Sequence, residues 1–349
     1  MIDENLGGVS PEARHKGILG YLSACILVFG AANLALAQGP AKGVERVRIG
    51  TPSPASIAVL QIKIAEVKGF FRDEGIQVEL VQMRVPVSMV ALVTKDIDYA
   101  TATGTLLVNA VKALPLRVVM YFLRAPLHVL NAKPEIRTVA DLKGKTVGIG
   151  GIGEATEPML KAMLRTARLD SDKDVKVLQV SGSGNRFAAL TAGLMDAAVL
   201  PPPYNLQAEA QGYRRLASVA AAPEVLDGTI ALAPPTGLGV NVDKLHNSPA
   251  QVKKMIRVFL KSHNFIRSQK SETTKILSEW LKLDPSMAAG AYEMYVGAMS
   301  GDGLVKEMAV GAAVDQVRQE LKLKPPVATS NVIDFTLLKE ALTEMGGMK

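Results

Sequence analysis

The side chains best suited to hold a small molecule lie in loops that follow predicted strands. They carry hydroxyl or amide groups and stand near helix starts: Ser53, Ser56, Thr103, Thr105, Thr156 and Asn185. Such groups donate and accept hydrogen bonds, so they can hold a carboxylate, a sulfonate or an amide. The alternative is ordinary helix capping, because Ser, Thr and Asn favour helix starts whether or not a ligand binds.

Arginine and tyrosine side chains near the same loops could add charge or stacking. Arg84, Arg124 and Arg186 are the cations nearest the expected cleft, and the fork of a guanidinium can pair with an anionic ligand. A surface or inter-lobe position is the alternative for each, and we include Arg84 and Arg124 in the expected ligand set. Tyr204 could stack on an aromatic ligand, with packing at a hinge as the alternative.

The segment GIGGIG at residues 148–153 matches the dinucleotide fingerprint G-x-G-x-x-G between a predicted strand and a predicted helix. The fingerprint also needs an acidic residue at the end of the following strand. That strand ends near residue 180, whereas Asp170, Asp172 and Asp174 all precede it. The glycines, Gly151 among them, are better explained as positions where backbone N–H groups approach a smaller anion at a helix start.

The sequence lacks several common catalytic motifs. The segment SGSG at residues 181–184 does not have the spacing of a nucleophile elbow, and no G-x-x-x-x-G-K-[ST] loop occurs. His128, His246 and His263 do not form a metal-ligand spacing, although His128, near the inferred lobe crossover, could touch a ligand. We therefore expect a binding protein rather than an enzyme, with no catalytic residue, no cofactor and no metal.

Strands and helices alternate along the chain, which predicts an α/β fold. The predicted strands are residues 44–50, 77–81, 99–102, 116–122, 146–149, 175–180 and 197–200. The chain has 349 residues, more than one domain usually has, so we expect two lobes. Only helices are predicted after residue 248, and we expect them to pack on the first lobe. A ligand should lie beyond the carboxyl ends of the strands, in a cleft between the lobes.

The first 37 residues have the pattern of a secretion signal. A basic segment at residues 14–16 precedes an apolar run at residues 17–32, and the sequence ALA at residues 35–37 supplies a small-residue cleavage site. The residues before Cys25 resemble a lipoprotein cleavage box, but the apolar run continues past it, so the later cut is favoured. That cut removes the chain's only cysteine, which excludes a disulfide or thiolate site.

The chain is basic, with 40 Lys and Arg against 33 Asp and Glu and a net charge of +7. This surplus could suit an anionic ligand, or it could belong to the solvated faces of amphipathic helices. No basic stripe with interleaved aromatic residues is present, so nucleic acid is not an expected partner.

Five short segments occur in an order typical of one family. They are AEVKGFFRDEGIQVEL at residues 65–80, DIDYA at 96–100, DLKGK at 141–145, GLMDAA at 193–198 and IDF at 333–335. The ordered set resembles the substrate-binding proteins of ABC importers, in the branch that binds sulfonates, taurine, nitrate and thiamine precursors. The resemblance implies a two-lobed type II periplasmic-binding fold, with residues 44–127 plus 235–349 in the first lobe and residues 128–234 in the second.

The same resemblance implies a function. It implies a monomer in the periplasm that binds a sulfonate, an aromatic carboxylate, nitrate or a pyrimidine-like solute and delivers it to an ABC permease powered by a separate ATPase. One alternative is an enzyme like the thiamine-pyrimidine synthases, although their cysteine-rich iron site is absent from this sequence. The other alternative is a periplasmic sensory receptor for a solute.

Overall fold

The computed structural model describes residues 43–221 and 234–346 of the chain. The predicted signal peptide at residues 1–37 and Cys25 lie outside the described residues. The described strands form two sheets. They are β1 (Glu45–Thr51), β2 (Ile76–Gln82), β3 (Tyr99–Ala100), β4 (Leu116–Tyr121), β5 (Val129–Ala132), β6 (Thr146–Ile149), β7 (Lys176–Gln179), β8 (Ala197–Leu200), β9 (Arg214–Ser218) and β10 (Gly237–Asn241).

Helices separate and follow these strands, which confirms the predicted α/β class. The described α-helices are α1 (Leu60–Lys68), α2 (Phe70–Asp73), α3 (Val85–Thr94), α4 (Thr103–Val111), α5 (Thr156–Arg165), α6 (Ser183–Thr191), α7 (Tyr204–Ala210), α8 (Val242–Asn247), α9 (Pro249–Ser268), α10 (Lys270–Leu281), α11 (Pro285–Ala298), α12 (Glu307–Glu320) and α13 (Thr336–Glu344). Short 3-10 helices add to them, and the one at Ile57–Val59 lies next to the candidate site.

The first sheet has the strand order β2-β1-β3-β10-β4. Strands β1 and β3 are parallel, whereas β10 runs antiparallel to both β3 and β4. Strand β10 needs glycine, because a Cβ on Gly237 would lie 2.2 Å from the backbone oxygen of Met120. A Cβ on Gly239 would lie 2.1 Å from Cδ1 of Leu106 on α4. The returning strand therefore fits only because these two positions carry no side chain.

The second sheet has the order β7-β6-β8-β5-β9 and repeats the plan of the first. Strand β6 is parallel to β7 and β8, and β5 runs antiparallel to β8 and β9. Two crossover segments connect the sheets and lie side by side, since the backbone N–H of Phe122 donates to the oxygen of Thr236 at 2.9 Å. A pair of adjacent crossovers is the kind of connection about which two lobes can hinge.

The C-terminal helices cover the first lobe, as the sequence predicted. Helix α9 buries an apolar stripe that includes Met255, Ile256 and Phe259 in the same core as β1 and β4. Helix α11 also contacts the second lobe, where Leu206 of α7 packs against its apolar face. The lobe boundaries at residues 127/128 and 234/235 stay predictions, although every described strand from β5 to β9 belongs to the second sheet.

Candidate functional site

A cavity of about 110 Å³ lies where the carboxyl ends of strands from the two sheets meet. Thr51 and Thr101 line it at the ends of β1 and β3 in the first lobe. Gly150, Ser181 and Pro201 line it just beyond β6, β7 and β8 in the second. Strand ends are where ligands bind in open α/β sheets, so the topology itself produces this cavity.

Helix N-termini from both lobes converge on the cavity. The 3-10 helix Ile57–Val59 and helix α4 contribute from the first lobe, and α5 and α6 contribute from the second. The N–H groups in the first turn of a helix have no partner within the helix, and the helix dipole places partial positive charge there. The arrangement therefore favours an anion before any side chain is considered.

Four of the residues predicted from sequence line the cavity together: Ser53, Ser56, Thr105 and Thr156. One of these hydroxyl groups also caps a helix, since Ser56 Oγ accepts from the N–H of Ala58 at 3.3 Å at the start of the 3-10 helix. Thr156 Oγ1 accepts from the N–H of Gly150 at 2.9 Å, outside its own helix. In Ser56, capping and cavity lining are thus combined rather than being alternatives.

Three other predicted residues lie next to the cavity without lining it. Thr103 is fully buried, and its hydroxyl donates to the backbone oxygen of Pro234 at 2.9 Å, at the returning crossover. Asn185 is exposed, and its amide donates to the backbone oxygen of Ser181 at 3.1 Å. Gly151 is buried beside Gly150, which does line the cavity.

The predicted cations and the tyrosine take up other positions. Arg84 is exposed at the start of α3, and Arg124 is exposed with its guanidinium donating to the backbone oxygen of Gly297 at 2.8 Å. Tyr204 reaches across the cleft, where its hydroxyl donates to the backbone oxygen of Ala55 at 3.1 Å. These three side chains lie outside the lining of the cavity, at the surface or between the lobes, and their contact with a ligand stays a prediction.

Among the described residues, the cation that lines the cavity is Arg186, which the sequence places near the cleft but outside the expected ligand set. It is 2% exposed. Its guanidinium donates to the backbone oxygens of Val199 at 2.8 Å and Val180 at 3.0 Å. Burial lowers the pKa of Arg186 to about 10, against the opposing effect of the Glu154 carboxylate, so the side chain still carries its charge at neutral pH.

Glu154 is a lining residue that sequence reasoning missed. It is partly buried, and burial raises the pKa of its carboxyl group while the charges of Arg186 and Arg84 act in the opposite direction. Its side chain forms no hydrogen bond or ion pair within residues 43–221 and 234–346. Its position in the glycine-rich loop at residues 148–156 was the available clue, because that loop follows a strand and precedes a helix.

Three buried polar atoms around the cavity lack a partner. Thr51 Oγ1, His128 Nδ1 and Thr236 Oγ1 are shielded from solvent and form no hydrogen bond to any residue that the structure describes. Leaving such an atom unsatisfied costs about 1–3 kcal/mol. Burial, together with the nearby charge of Arg186, lowers the pKa of His128 to about 3, so the imidazole is neutral at pH 7. The cavity therefore offers unused hydrogen-bonding capacity to a polar ligand.

A family model described as "NMT1/THI5 like" matches residues 57–273, which is more than half of the chain. The chain belongs to the NMT1/THI5-like family. The matched range begins at the 3-10 helix Ile57–Val59, includes the strands of the second sheet and ends within the C-terminal helices. The resemblance seen in the sequence is confirmed.

Solved structures with this fold include binding proteins and an enzyme. A protein of Bordetella bronchiseptica RB50 has a TM-score of 0.74 at 22% identity, over 86% of this chain and 98% of that one. The alkanesulfonate-binding protein SsuA of Xanthomonas axonopodis pv. citri, bound to MOPS, has a TM-score of 0.66 at 18% identity, over 86% and 99%. The desulfurization enzyme DSZB has a TM-score of 0.61 at 16% identity, also over 86% and 99%. No curated protein sequence matches the chain significantly.

In the described part of this NMT1/THI5-like protein, the His, Cys, Asp and Glu side chains form no group of three or more that could hold a metal ion. None of its described helices combines the length and apolarity needed to cross a membrane.

Proposed function

We propose that this protein is the extracytoplasmic solute-binding component of an ABC import system and holds a small organic anion between its lobes. The observation that carries the proposal is Arg186. This guanidinium is buried at the cavity wall, keeps its charge at neutral pH and forms no carboxylate ion pair within the described residues. A buried charge is costly unless it is compensated, and an anionic ligand would supply the missing partner.

The polar atoms around Arg186 suit the oxygens of such an anion. Thr51 and Thr236 can donate from their hydroxyl groups, and neutral His128 can donate or accept at Nδ1. A sulfonate, a carboxylate or nitrate presents several acceptor oxygens to these donors. Glu154 adds an acceptor on the same wall, which suits a ligand that also carries an N–H or O–H group, such as a pyrimidine-like solute.

The proposed mechanism is closure of two lobes about the paired crossovers. We assign residues 44–127 plus 235–349 to the first lobe and residues 128–234 to the second. The expected signal peptide supports a periplasmic location. The resemblance seen in the sequence implies a monomer that presents its ligand to a permease and its ATPase. Closing the lobes removes the ligand from water, which strengthens its contact with Arg186.

A catalytic function has less support in the cavity. An activated nucleophile needs a base within hydrogen-bonding distance of its hydroxyl group. His128 is the imidazole that lines the cavity, and its Nδ1 bonds to none of the described residues. Ser56 and Thr156 accept hydrogen bonds from backbone N–H groups instead of donating to a base.

A thermal-shift panel of anions tests the proposal. The purified chain is heated with nitrate, methanesulfonate, benzoate or 2-aminopyrimidine, and with benzamide as an uncharged match for benzoate. A ligand at 100 times its Kd should stabilise the folded state by about 2.7 kcal/mol and raise Tm by several degrees. The proposal fails if no anion raises Tm, or if mass spectrometry shows that a stabilising compound is converted to product.

A further inference from the structure

A second cavity of about 190 Å³ lies between the lobes, beside the first. It is bounded by α4 and α12 of the first lobe and by the start of α5 in the second. Much of its lining is apolar, from Leu107, Val108, Met159, Ala313, Val317 and Leu321. A cavity of about 150 Å³ lined by aliphatic side chains can hold benzene, so this one has room for a ring or a short alkyl chain.

The two cavities share a wall. Glu154 and Ala155 line both of them, and on the opposite side Thr105 lines the first while its neighbour Gly104 lines the second. Gly104 and Ala155, two of the smallest residues, therefore lie where the linings of the two cavities adjoin. A larger residue at either position would take up space between the cavity lined by Arg186 and the apolar cavity.

Charged groups surround the apolar cavity at its solvent side. Lys161 of the second lobe pairs with Glu157 at 2.8 Å. Glu320 of α12, in the first lobe, acts on Lys161 electrostatically across the gap. Lys112 completes the rim from the end of α4. An apolar group in the second cavity would be covered by residues of both lobes. It could keep these contacts only while the lobes are close together.

We propose that the ligand is an elongated amphiphilic anion, with its charged group at Arg186 and its apolar body passing between Gly104 and Ala155 into the second cavity. The proposal rests on the proposed binding function and specifies the ligand class for the same site. It accounts for a buried cation in one cavity and an apolar lining in the adjoining one. A small inorganic anion would satisfy Arg186 but leave the second cavity without an occupant.

Matched short and long ligands test this proposal by isothermal titration calorimetry. Methanesulfonate is compared with hexanesulfonate, and acetate with 4-phenylbutyrate, on the wild-type chain. Each buried CH₂ contributes about 0.8 kcal/mol, so we expect the longer member of each pair to bind at least about tenfold more tightly.

Two variants test whether the apolar part of the ligand lies in the second cavity. Ala155→Leu should take up space between the two cavities, and Val317→Gln should place an amide in the second cavity. Both should remove most of the chain-length advantage. Val317→Gln, whose position lines only the second cavity, should leave the affinity for the short anions within about threefold. Ala309→Leu changes an exposed position on the same helix as Val317 and should leave every affinity unchanged. Circular dichroism confirms that each variant is folded.

The outcomes separate the two proposals. If short anions bind but long ones bind no better, or if both variants keep the chain-length advantage, the second cavity is not part of the site and only this inference is overturned. The same holds if an apolar compound binds alongside a short anion without competition, because that result indicates an independent site. If no anion of either series binds the wild-type chain, the proposed function fails together with the inference.

Discussion

The hydroxyl group of Tyr204 in the second lobe donates a hydrogen bond to the backbone oxygen of Ala55 in the first lobe, 3.1 Å away. The tyrosine ring packs against Phe187 at a centroid distance of 5.8 Å, and a Cβ on Gly184 would lie 3.0 Å from the Tyr204 hydroxyl oxygen. Because the bond spans the cleft, it can form only when the lobes are this close. Tyr204 therefore links the two lobes in this structure, while its stacking on a ligand stays a prediction.

Removing this bond should weaken ligand binding by making closure less favourable. We expect Tyr204→Phe to lower the affinity for a bound anion about twofold to tenfold, since one hydrogen bond contributes about 0.5–1.5 kcal/mol net. Tyr213→Phe is the control, because the Tyr213 hydroxyl donates to Leu190 at 3.3 Å within the second lobe. Calorimetry that gave the same affinity for Tyr204→Phe and wild type would show that the bond does not support closure.

The unpaired Glu154 carboxylate should oppose the binding of simple anions. We expect Glu154→Gln to raise the affinity for nitrate or methanesulfonate at pH 8 on the order of tenfold, because one negative charge leaves a partly buried site. Burial raises the pKa of Glu154, so the wild-type affinity should increase as the pH falls and the carboxyl group is protonated. The difference between the two proteins should shrink over the same range.

A variant at the exposed Glu135, Glu135→Gln, changes the net charge equally at a site away from the cavity. It should match wild type at every pH. An equal gain in affinity in Glu135→Gln would mean that overall charge, rather than the position of Glu154, controls binding.

A buried histidine should make the fold sensitive to acid. His263 is fully buried, lies 2.9 Å from the Gln61 amide nitrogen, and has its pKa lowered to about 3 by burial and by Arg267. Its unfolded pKa is about 6.5, so between these values the unfolded state binds more protons. The stability contributed by neutral His263 is complete above about pH 6.5 and is lost as the pH falls, at up to about 1.4 kcal/mol per pH unit.

Urea unfolding between pH 7 and pH 4 measures this dependence. His263→Leu should reduce the loss of stability with falling pH, whatever its stability at pH 7, while buried His128, whose pKa is also lowered to about 3, keeps its own contribution. His246→Gln, which replaces an exposed histidine on α8, should retain the wild-type slope. A wild-type slope in His263→Leu would assign the acid sensitivity to other groups.

The returning strand β10 should tolerate no side chain at Gly237. We expect Gly237→Ala to lower the free energy of unfolding by about 1–3 kcal/mol, because the new Cβ would lie 2.2 Å from a backbone oxygen that cannot move freely. Gly297→Ala in α11 is the matched control, since a Cβ there has open space around it. That change should stabilise the protein by about 0.5–1 kcal/mol through helix propensity. Equal effects in urea unfolding would contradict the close approach of β10 and β4.

Most strands of the first sheet could be predicted from the sequence. Residues 44–50 were predicted as a strand and form β1. The sequence did not predict β5, β9 or β10 as strands; β5 is a short buried run of four residues, and β10 carries two glycines. Their place in the sheets depends on pairing with distant strands, which local pattern does not reveal.

The candidate site was likewise predicted only in part. Strand ends and helix starts indicated the loops, and four residues predicted there line the cavity: Ser53, Ser56, Thr105 and Thr156. Arg186 could not be chosen over Arg84 and Arg124 by residue type alone. What distinguishes it is that its guanidinium is held by the backbone oxygens of Val180 and Val199, which meet only in the folded second sheet.

The most direct test of whether Arg186 binds the anion uses calorimetry. It compares the affinities of wild type, Arg186→Met and Arg84→Met for an anion from the thermal-shift panel. We predict that Arg186→Met loses at least about thirtyfold in affinity, Arg186→Lys recovers part of it, and Arg84→Met stays within about threefold of wild type. Thermal unfolding confirms that each variant is folded. Unchanged binding by folded Arg186→Met, or loss of binding in Arg84→Met instead, would contradict the claim that Arg186 holds the anion between the lobes.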